Sequence, residues 1–348
     1  MQNQDCHIEE SLTMPRQPSS LPLPPVANRA DGHPRRIGVE IELGGLGVDE
    51  TAALVAEQLG GDIKSIGRYE REVGGDPAGA WSVELDFGLL KKLGRRERDA
   101  DDLVDAVESL AEDALRRVSE PVVPVEVVSP PLPMSRLGEV DRLIRRLRDA
   151  GARGTGDEPA FAFGMQLNPE LPDTDADIVR QYLQAFLCME DWLRERAKVD
   201  LTRRLTFFAD PFPKGYTRAC VDPDYTPNRG QLIDDYLADN PTRNRALDML
   251  PLFAHLDAER VRGRVDDPRI KARPTLHYRL PNSEVDEPGW GLGAIWADWL
   301  VLERLANDPV RLGDLCRDYA DFLDRPLARL SGDWPRLCER WLRTHRLL

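Results

Sequence analysis

The segment Arg36–Leu43 constrains the fold of this chain more than any other. Ile37, Val39, Ile41 and Leu43 alternate with Gly38, Glu40 and Glu42. Side chains alternate faces along a strand, so this pattern demands a half-buried strand with carboxylates on its polar side. Trp81–Asp86 repeats the arrangement, with Trp81, Val83 and Leu85 opposite Ser82, Glu84 and Asp86. Val122–Ser129 is a β-branched run with one acid, Glu126, closed by Pro130 and Pro131. Phe161–Leu167 sets Phe161, Phe163, Met165 and Leu167 against Ala162, Gly164 and Gln166, and Asn168 continues the polar side. Thr275–Leu280 sets Leu276, Tyr278 and Leu280 against Thr275, His277 and Arg279. Residues 61–72 read as one further strand.

Helical periodicity lies between and after these strands. A short helix runs to Leu59, with Asp49 or Thr51 as its cap. Others are expected over Asp99–Val118, Arg136–Ala150, Asp173–Asp200, 293–306, 309–325 and 334–345. Residues 202–242, rich in Pro and Asp, read as irregular. Strands with inserted helices, followed by helices alone, predict an α+β fold rather than a βαβ alternation. The expected division is a disordered Pro-rich tail over 1–34, a strand-bearing domain over 35–285 and a C-terminal helical extension over 286–348 packed on it. Within the tail, Leu21–Val26 is suited to lie extended across the domain. Trp290, Trp296, Trp299, Trp334 and Trp341 are expected to pack the C-terminal helices.

Composition narrows the function. With 348 residues, 41% of them hydrophobic, the chain can bury a sizeable core. A formal charge of −14 makes nucleic acid a poor partner. No run of 18 or more apolar residues predicts a membrane span, and the polar N-terminus has no apolar core of a secretory signal. Five cysteines without a CxxC pair signal neither zinc nor a disulfide framework. A cytoplasmic protein with reduced thiols is expected.

If the strands share one sheet, its polar face gathers Glu40, Glu42, Glu84, Asp86 and Glu126, with Gln166, Asn168, His277 and Arg279. Carboxylates so close raise one another's pKa. A hard divalent cation with oxygen ligands relieves the repulsion, and an arginine fork can hold a phosphate. The face therefore reads as a metal–nucleotide site. Blander readings exist for each part. Alternating acids are commonly a solvated strand face, and Glu126 alone could be a charge that protects an edge. His277 alone is more often structural than a ligand, and the two amides could satisfy backbone groups. Lys64 and Arg68 are further phosphate-binding candidates. Asp210–Asn228 is a candidate lid, with Lys214, Tyr216, Arg218 and the following Arg229 as anion contacts; a solvated structural loop fits equally. Asp86-Phe87-Gly88 spells a kinase metal motif, but the companion kinase motifs are missing. There is no P-loop and no nucleophile elbow, and Gly44-Gly45-Leu46-Gly47 reads as a tight turn.

In these residues the chain resembles the amidoligases of the glutamine synthetase and glutamate-cysteine ligase superfamily. The resemblance rests on Arg36–Leu43, Trp81–Asp86, Val125–Leu132, Phe163–Glu170 and His277–Asn282, in that order, over about residues 36 to 285. It implies an antiparallel sheet of the glutamine synthetase type and an ATP- and Mg²⁺-dependent (or Mn²⁺-dependent) joining of a carboxylate to an amine. By position it implies metal ligands at Glu40, Glu42 and Glu126, with Glu84 or Asp86 beside them. Arg279 would hold the transferred phosphoryl group. Gln166 stands where relatives commonly carry histidine, and His277 where the superfamily has glutamate; both can still ligate a cation. The implied partners are a small-molecule or peptide carboxylate, an amine or ammonia, and a glutamine amidotransferase-like protein as ammonia source. The weakened ligand set also admits a degenerate binding or scaffold protein, and the fold admits a phosphagen-type kinase.

Overall fold

In the computed structural model, which describes residues 20–86, 124–156, 163–197, 209–325 and 333–348, the alternating segments join one sheet. Its strands are β1 (Arg36–Leu43), β2 (Ile63–Gly67), β3 (Glu70–Val73), β4 (Trp81–Leu85), β5 (Val125–Val128), β6 (Leu132–Pro133), β7 (Met165–Pro169), β8 (Leu247–Asp248) and β9 (His277–Tyr278). The order is β2-β3-β4-β5-β1-β7-β9-β8, with β6 paired to the start of β1, and every pairing is antiparallel. The α+β expectation therefore holds as an open antiparallel sheet.

β1 sits in the middle because it alone is long and alternates cleanly. Its apolar side chains Ile37, Val39, Ile41 and Leu43 are buried, as are Trp81, Val83, Val125, Val127, Met165 and Leu167 from its neighbours. Helices cover this face: α1 (Val48–Leu59), α2 (Leu137–Asp149), α3 (Ala176–Arg196) and α8 (Leu292–Ala306). α9 (Pro309–Leu323) and α10 (Trp334–Thr344) pack on α3. Trp296, Trp299 and Trp334 are buried there, and Trp290 and Trp341 lie against the same core, as expected.

A buried ion pair joins the residue before β1 to α8. Arg35, fully buried, donates to both oxygens of Glu303 on α8 at 3.0 and 2.7 Å. The Tyr182 hydroxyl and the Trp299 indole also donate to Glu303. Arg35 further donates to the carbonyls of Val26 and Glu170. The Trp296 indole donates to the Pro22 carbonyl at 2.7 Å, so residues 20–26 lie against α8.

Several local expectations are corrected. Residues 61–72 are a hairpin of β2 and β3, not one strand, because the chain turns at Arg68 and Tyr69. The α1 cap is Gly47 rather than Asp49 or Thr51: Thr51 is buried inside the helix, and Asp49 and Glu50 occupy its first turn, where acids suit the helix dipole. Residues 209–242 are not irregular. They contain α4 (Lys214–Cys220) and α5 (Arg229–Asp239), the latter opened by an Asn228–Gln231 capping box. Tyr216 packs against Phe212 and Tyr236, and Arg218 pairs with Asp222 and Asp324, so this stretch is a packed helix rather than a solvated loop. β8 and the short helices α6 (Leu250–Leu256) and α7 (Ala258–Arg262) had no periodic signal. The helix expected over Asp99–Val118 lies outside the described residues. Gly45 does form a tight turn, at φ 78°. The four described cysteines are unbridged and buried. Among the described residues no helix is long and apolar enough to cross a membrane.

Candidate functional site

Strand register aligns the acids of the uncovered face. Glu42 on β1 stands opposite Glu126 on β5, Glu126 opposite Glu84 on β4, and Glu84 opposite Glu70 on β3. Directly opposed side chains lie about 5 Å apart at Cβ, and like charges there are unfavourable. Burial pushes the Glu126 carboxyl well above its ordinary range, and Glu40, Glu42, Asp86 and Glu84 push it further. Glu84 is raised by burial and then by Glu70, with Lys271 pulling the other way. Among the described residues no hydrogen bond or ion pair reaches the Glu126 carboxylate.

Glu40 and Glu42 are in a different state. The Gly164 backbone N–H donates to Glu42 Oε2 at 2.6 Å, and Gln166 Nε2 donates to Glu42 Oε1 at 3.0 Å. Asn168 Nδ2 donates to Glu40 Oε1 at 2.8 Å, and Arg273 lies 3.8 Å from the same oxygen. The cause is register: β7 lies beside β1 with Gln166 opposite Glu40 and Asn168 opposite Gly38.

Gln166 and His277 are locked together. His277 Nε2 is 2.5 Å from Gln166 Oε1, and Arg273 Nη2 is 2.7 Å from His277 Nδ1. Arg273 can only donate, so Nδ1 accepts; Nε2 then carries the proton and donates to Gln166. This assigns a neutral imidazole. Burial holds its pKa well below the ordinary value, with Arg279, Arg273 and Arg243 adding to the effect. To ligate a cation, Gln166 and His277 would have to leave this chain of contacts.

The arginines converge at the β9 end of the sheet. Arg279 is buried, and its charge reaches His277, Asp248 and Arg243. Burial raises Asp248 to about 6, while Arg279, Arg243 and Arg273 oppose that rise. Lys64 and Arg68 are not brought to this end. Lys64 is an exposed residue of edge strand β2, next to Glu72, and Arg68 stacks over Tyr69. At about 4.8 Å per strand, β2 and β9 stand roughly 29 Å apart, too far to share one phosphate group. The structure therefore sets Glu40, Glu42, Glu84, Asp86, Glu126, Gln166, His277 and Arg279 on the consecutive strands β4, β5, β1, β7 and β9 or at their ends and leaves Lys64 and Arg68 at the opposite edge.

Glu70, Asp248, Arg243, Arg273 and Lys271 join this face without a sequence signal that singled them out. Glu70 needed the β3–β4 register, and the arginines lie in segments without periodicity. The donors of the glutamate row are all oxygen, which suits a hard divalent cation. Among the described residues no three Asp, Glu, His or Cys side chains already converge on one point where a metal could sit. Side-chain rotation toward Glu126 would be needed to close such a site.

The molecule is thus an α+β protein with an open antiparallel sheet, whose uncovered face carries its charged centre: carboxylates on the middle strands and arginines at one end. A family profile described as "putative amidoligase enzyme" matches residues 33–301, and the chain belongs to this amidoligase family. The matched span holds every strand of the sheet and reaches into α8. No curated protein and no solved structure matches the chain.

Proposed function

We propose that the chain is an ATP- and Mg²⁺-dependent carboxylate–amine ligase on a glutamine synthetase-type sheet. One observation carries the reading: in a member of the amidoligase family, the in-register row Glu42–Glu126–Glu84 holds a carboxylate without a hydrogen-bond partner, repelled by its neighbours, on the same face as buried Arg279. Glu126, Glu84 and Asp86, with Glu40 and Glu42, are the residues to hold the cation. Bound Mg²⁺ (or Mn²⁺) would neutralise phosphate charge and relieve this row.

The substrate carboxylate, from an amino acid or peptide, attacks the γ-phosphorus of ATP; the bond to the β-phosphate oxygen breaks and ADP leaves. An amine or ammonia then attacks the acyl carbon, phosphate departs, and the nitrogen loses a proton to give the amide. Arg279 would balance the negative charge spread over the transferred phosphoryl oxygens. Arg279 is buried, whereas Glu126 is partly exposed, so bound substrates would have to complete the exclusion of water that an acyl phosphate requires. Ammonia delivered by a glutamine amidotransferase-like partner belongs to the same reading.

One observation favours the reading of a non-catalytic binder. Both Glu42 oxygens are taken by N–H donors, and Gln166 and His277 satisfy each other, which leaves fewer outward lone pairs for metal.

Thermal stability with Mg²⁺, ATP and both, followed by ADP release with candidate carboxylates and ammonia, tests the choice. At about 100 times its dissociation constant, a ligand adds roughly 2.7 kcal/mol to the native state. We expect that gain only with both present and not in Glu40→Ala/Glu126→Ala. We expect Glu126→Gln, without ligand, to be more stable than wild type by roughly 1–2 kcal/mol, because it removes an unpartnered, repelled charge. A folded wild type that ignores ATP with metal would leave the binder.

A further inference from the structure

Arg243 stands at the arginine end of the charged face, where no step of the proposed reaction uses it. It lies just before β8, half-buried, and among the described residues its guanidinium makes no hydrogen bond and no ion pair. Arg245, Arg269 and Arg273, by contrast, are engaged. Arg245 donates to Asn240 Oδ1 at 2.8 Å and to the Pro211 carbonyl at 2.7 Å. Arg269 grips both oxygens of Asp267 at 2.8 and 2.6 Å, and Arg273 donates to His277. An arginine set into protein without a paired counter-ion costs desolvation that distant charges repay only in part. Burial accordingly pushes the Arg243 pKa down, Arg279 and Arg269 push it the same way, and Asp248 and Asp267 only partly oppose them.

The guanidinium lies in the wall of a cavity of about 320 Å³ between residues 241–244 and 264–269. Thr242, Asn244 and Arg264 share the wall. Arg264 is exposed and, like Arg243, has no side-chain partner among the described residues. Two acids also line the cavity. Asp267 is consumed by Arg269, and Asp266 is exposed. Three arginines against two aspartates leave the lining at +1, with Arg279 adding its charge behind Arg243. This positive cavity belongs to a chain with a formal charge of −14.

We propose that this cavity is an anion-binding subsite, with Arg243 and Arg264 as its binding residues and a carboxylate or phosphate group as its ligand. The planar fork of a guanidinium matches both groups through paired N–H donors. The volume admits a small organic anion rather than a bare ion alone. Arg243 lines this cavity and is close enough to Arg279 to feel its charge, which links the cavity to the arginine end of the charged face. The proposal does not rest on the ligase reading, and its test uses neither nucleotide nor metal.

The test is a titration of the full chain with inorganic phosphate and, separately, with glutarate. Chloride balances the ionic strength, and the melting midpoint and calorimetric heat are read. We expect a saturable rise with at least one probe. Phosphate alone would mark a phosphate site, and glutarate alone a carboxylate site. Arg243→Gln and Arg264→Gln should each raise the half-saturating concentration about tenfold, and Arg243→Lys should restore part of the loss. Without anion, Arg243→Gln should melt no lower than wild type, since it removes an unpaired charge. The exposed Arg264→Gln keeps the test valid if Arg243→Gln fails to fold. Equal, non-saturating responses in wild type and Arg264→Gln would overturn the proposal, as would a wild type indifferent to both probes.

Discussion

At the scale of single residues, the uncovered face separates satisfied charges from unsatisfied ones. Glu42 accepts from Gly164 and Gln166, whereas Glu126, one strand away, has no partner among the described residues. Asp248 is an intermediate case. Leu250 N donates to its Oδ1, but its Oδ2 is buried without a hydrogen bond, and its pKa rises to about 6. The folded state therefore holds this proton more tightly than the unfolded chain, whose aspartate titrates near 3.9. Stability from this group is fully present below about pH 4 and falls as pH rises toward 6. In chelator-treated protein, wild type should lose roughly 2–3 kcal/mol relative to Asp248→Asn between pH 4 and 7. Urea unfolding at both pH values checks this; parallel pH profiles for the two proteins would reject the assignment.

At the scale of elements, short-range pattern and long-range pairing had unequal sequence signals. β1, β4 and β5 were legible because apolar and polar residues alternate, and α2, α8, α9 and α10 because apolar residues recur at helical spacing. β8 has two residues, and a pair has no period; β9 was legible in the alternation of Thr275–Leu280, although only His277 and Tyr278 join the ladder. The β2–β3 break was missed because a run of polar residues looks alike as strand or turn. The turn after β1 was legible in its glycines, and the structure shows why one of them is required. A Cβ on Gly45 would meet the Gly151 carbonyl oxygen at 2.6 Å, in a backbone already at positive φ. Gly45→Ala should therefore cost roughly 1–3 kcal/mol, read as a lowered urea midpoint with an unchanged slope. A neutral result would mean that the 44–47 turn is not held against residue 151.

At the scale of the whole molecule, the C-terminal helices are tied to the sheet by charge as well as by apolar packing. Arg35 precedes β1, Glu303 lies on α8, and both are fully buried. Removing one partner leaves the other charge stranded. Glu303→Gln should destabilise the chain by about 3–5 kcal/mol, whereas replacing both residues with apolar ones of similar volume should cost much less. Calorimetric melting of the two variants separates these cases: an equal loss in both would show that packing, not the stranded charge, sets the effect. The tie also bears on organisation, because it couples residue 35 to a helix beyond 285, and the family match likewise continues to 301.

By itself the sequence determined which side chains could share a face. The period of a strand is local and needs no partner, so Glu40 with Glu42, Glu84 with Asp86, and His277 with Arg279 were paired before any contact was known. Tertiary structure alone decided which faces meet and in what register. The order β4-β5-β1-β7-β9 sets Glu84, Glu126 and Glu42 in one row and puts Gln166 against His277, across separations from about 40 to more than 100 residues. It also brought Arg243 and Arg273 to His277 from segments without periodicity. Such contacts are fixed by the packing of the whole sheet on its helices, and no local repeat encodes them.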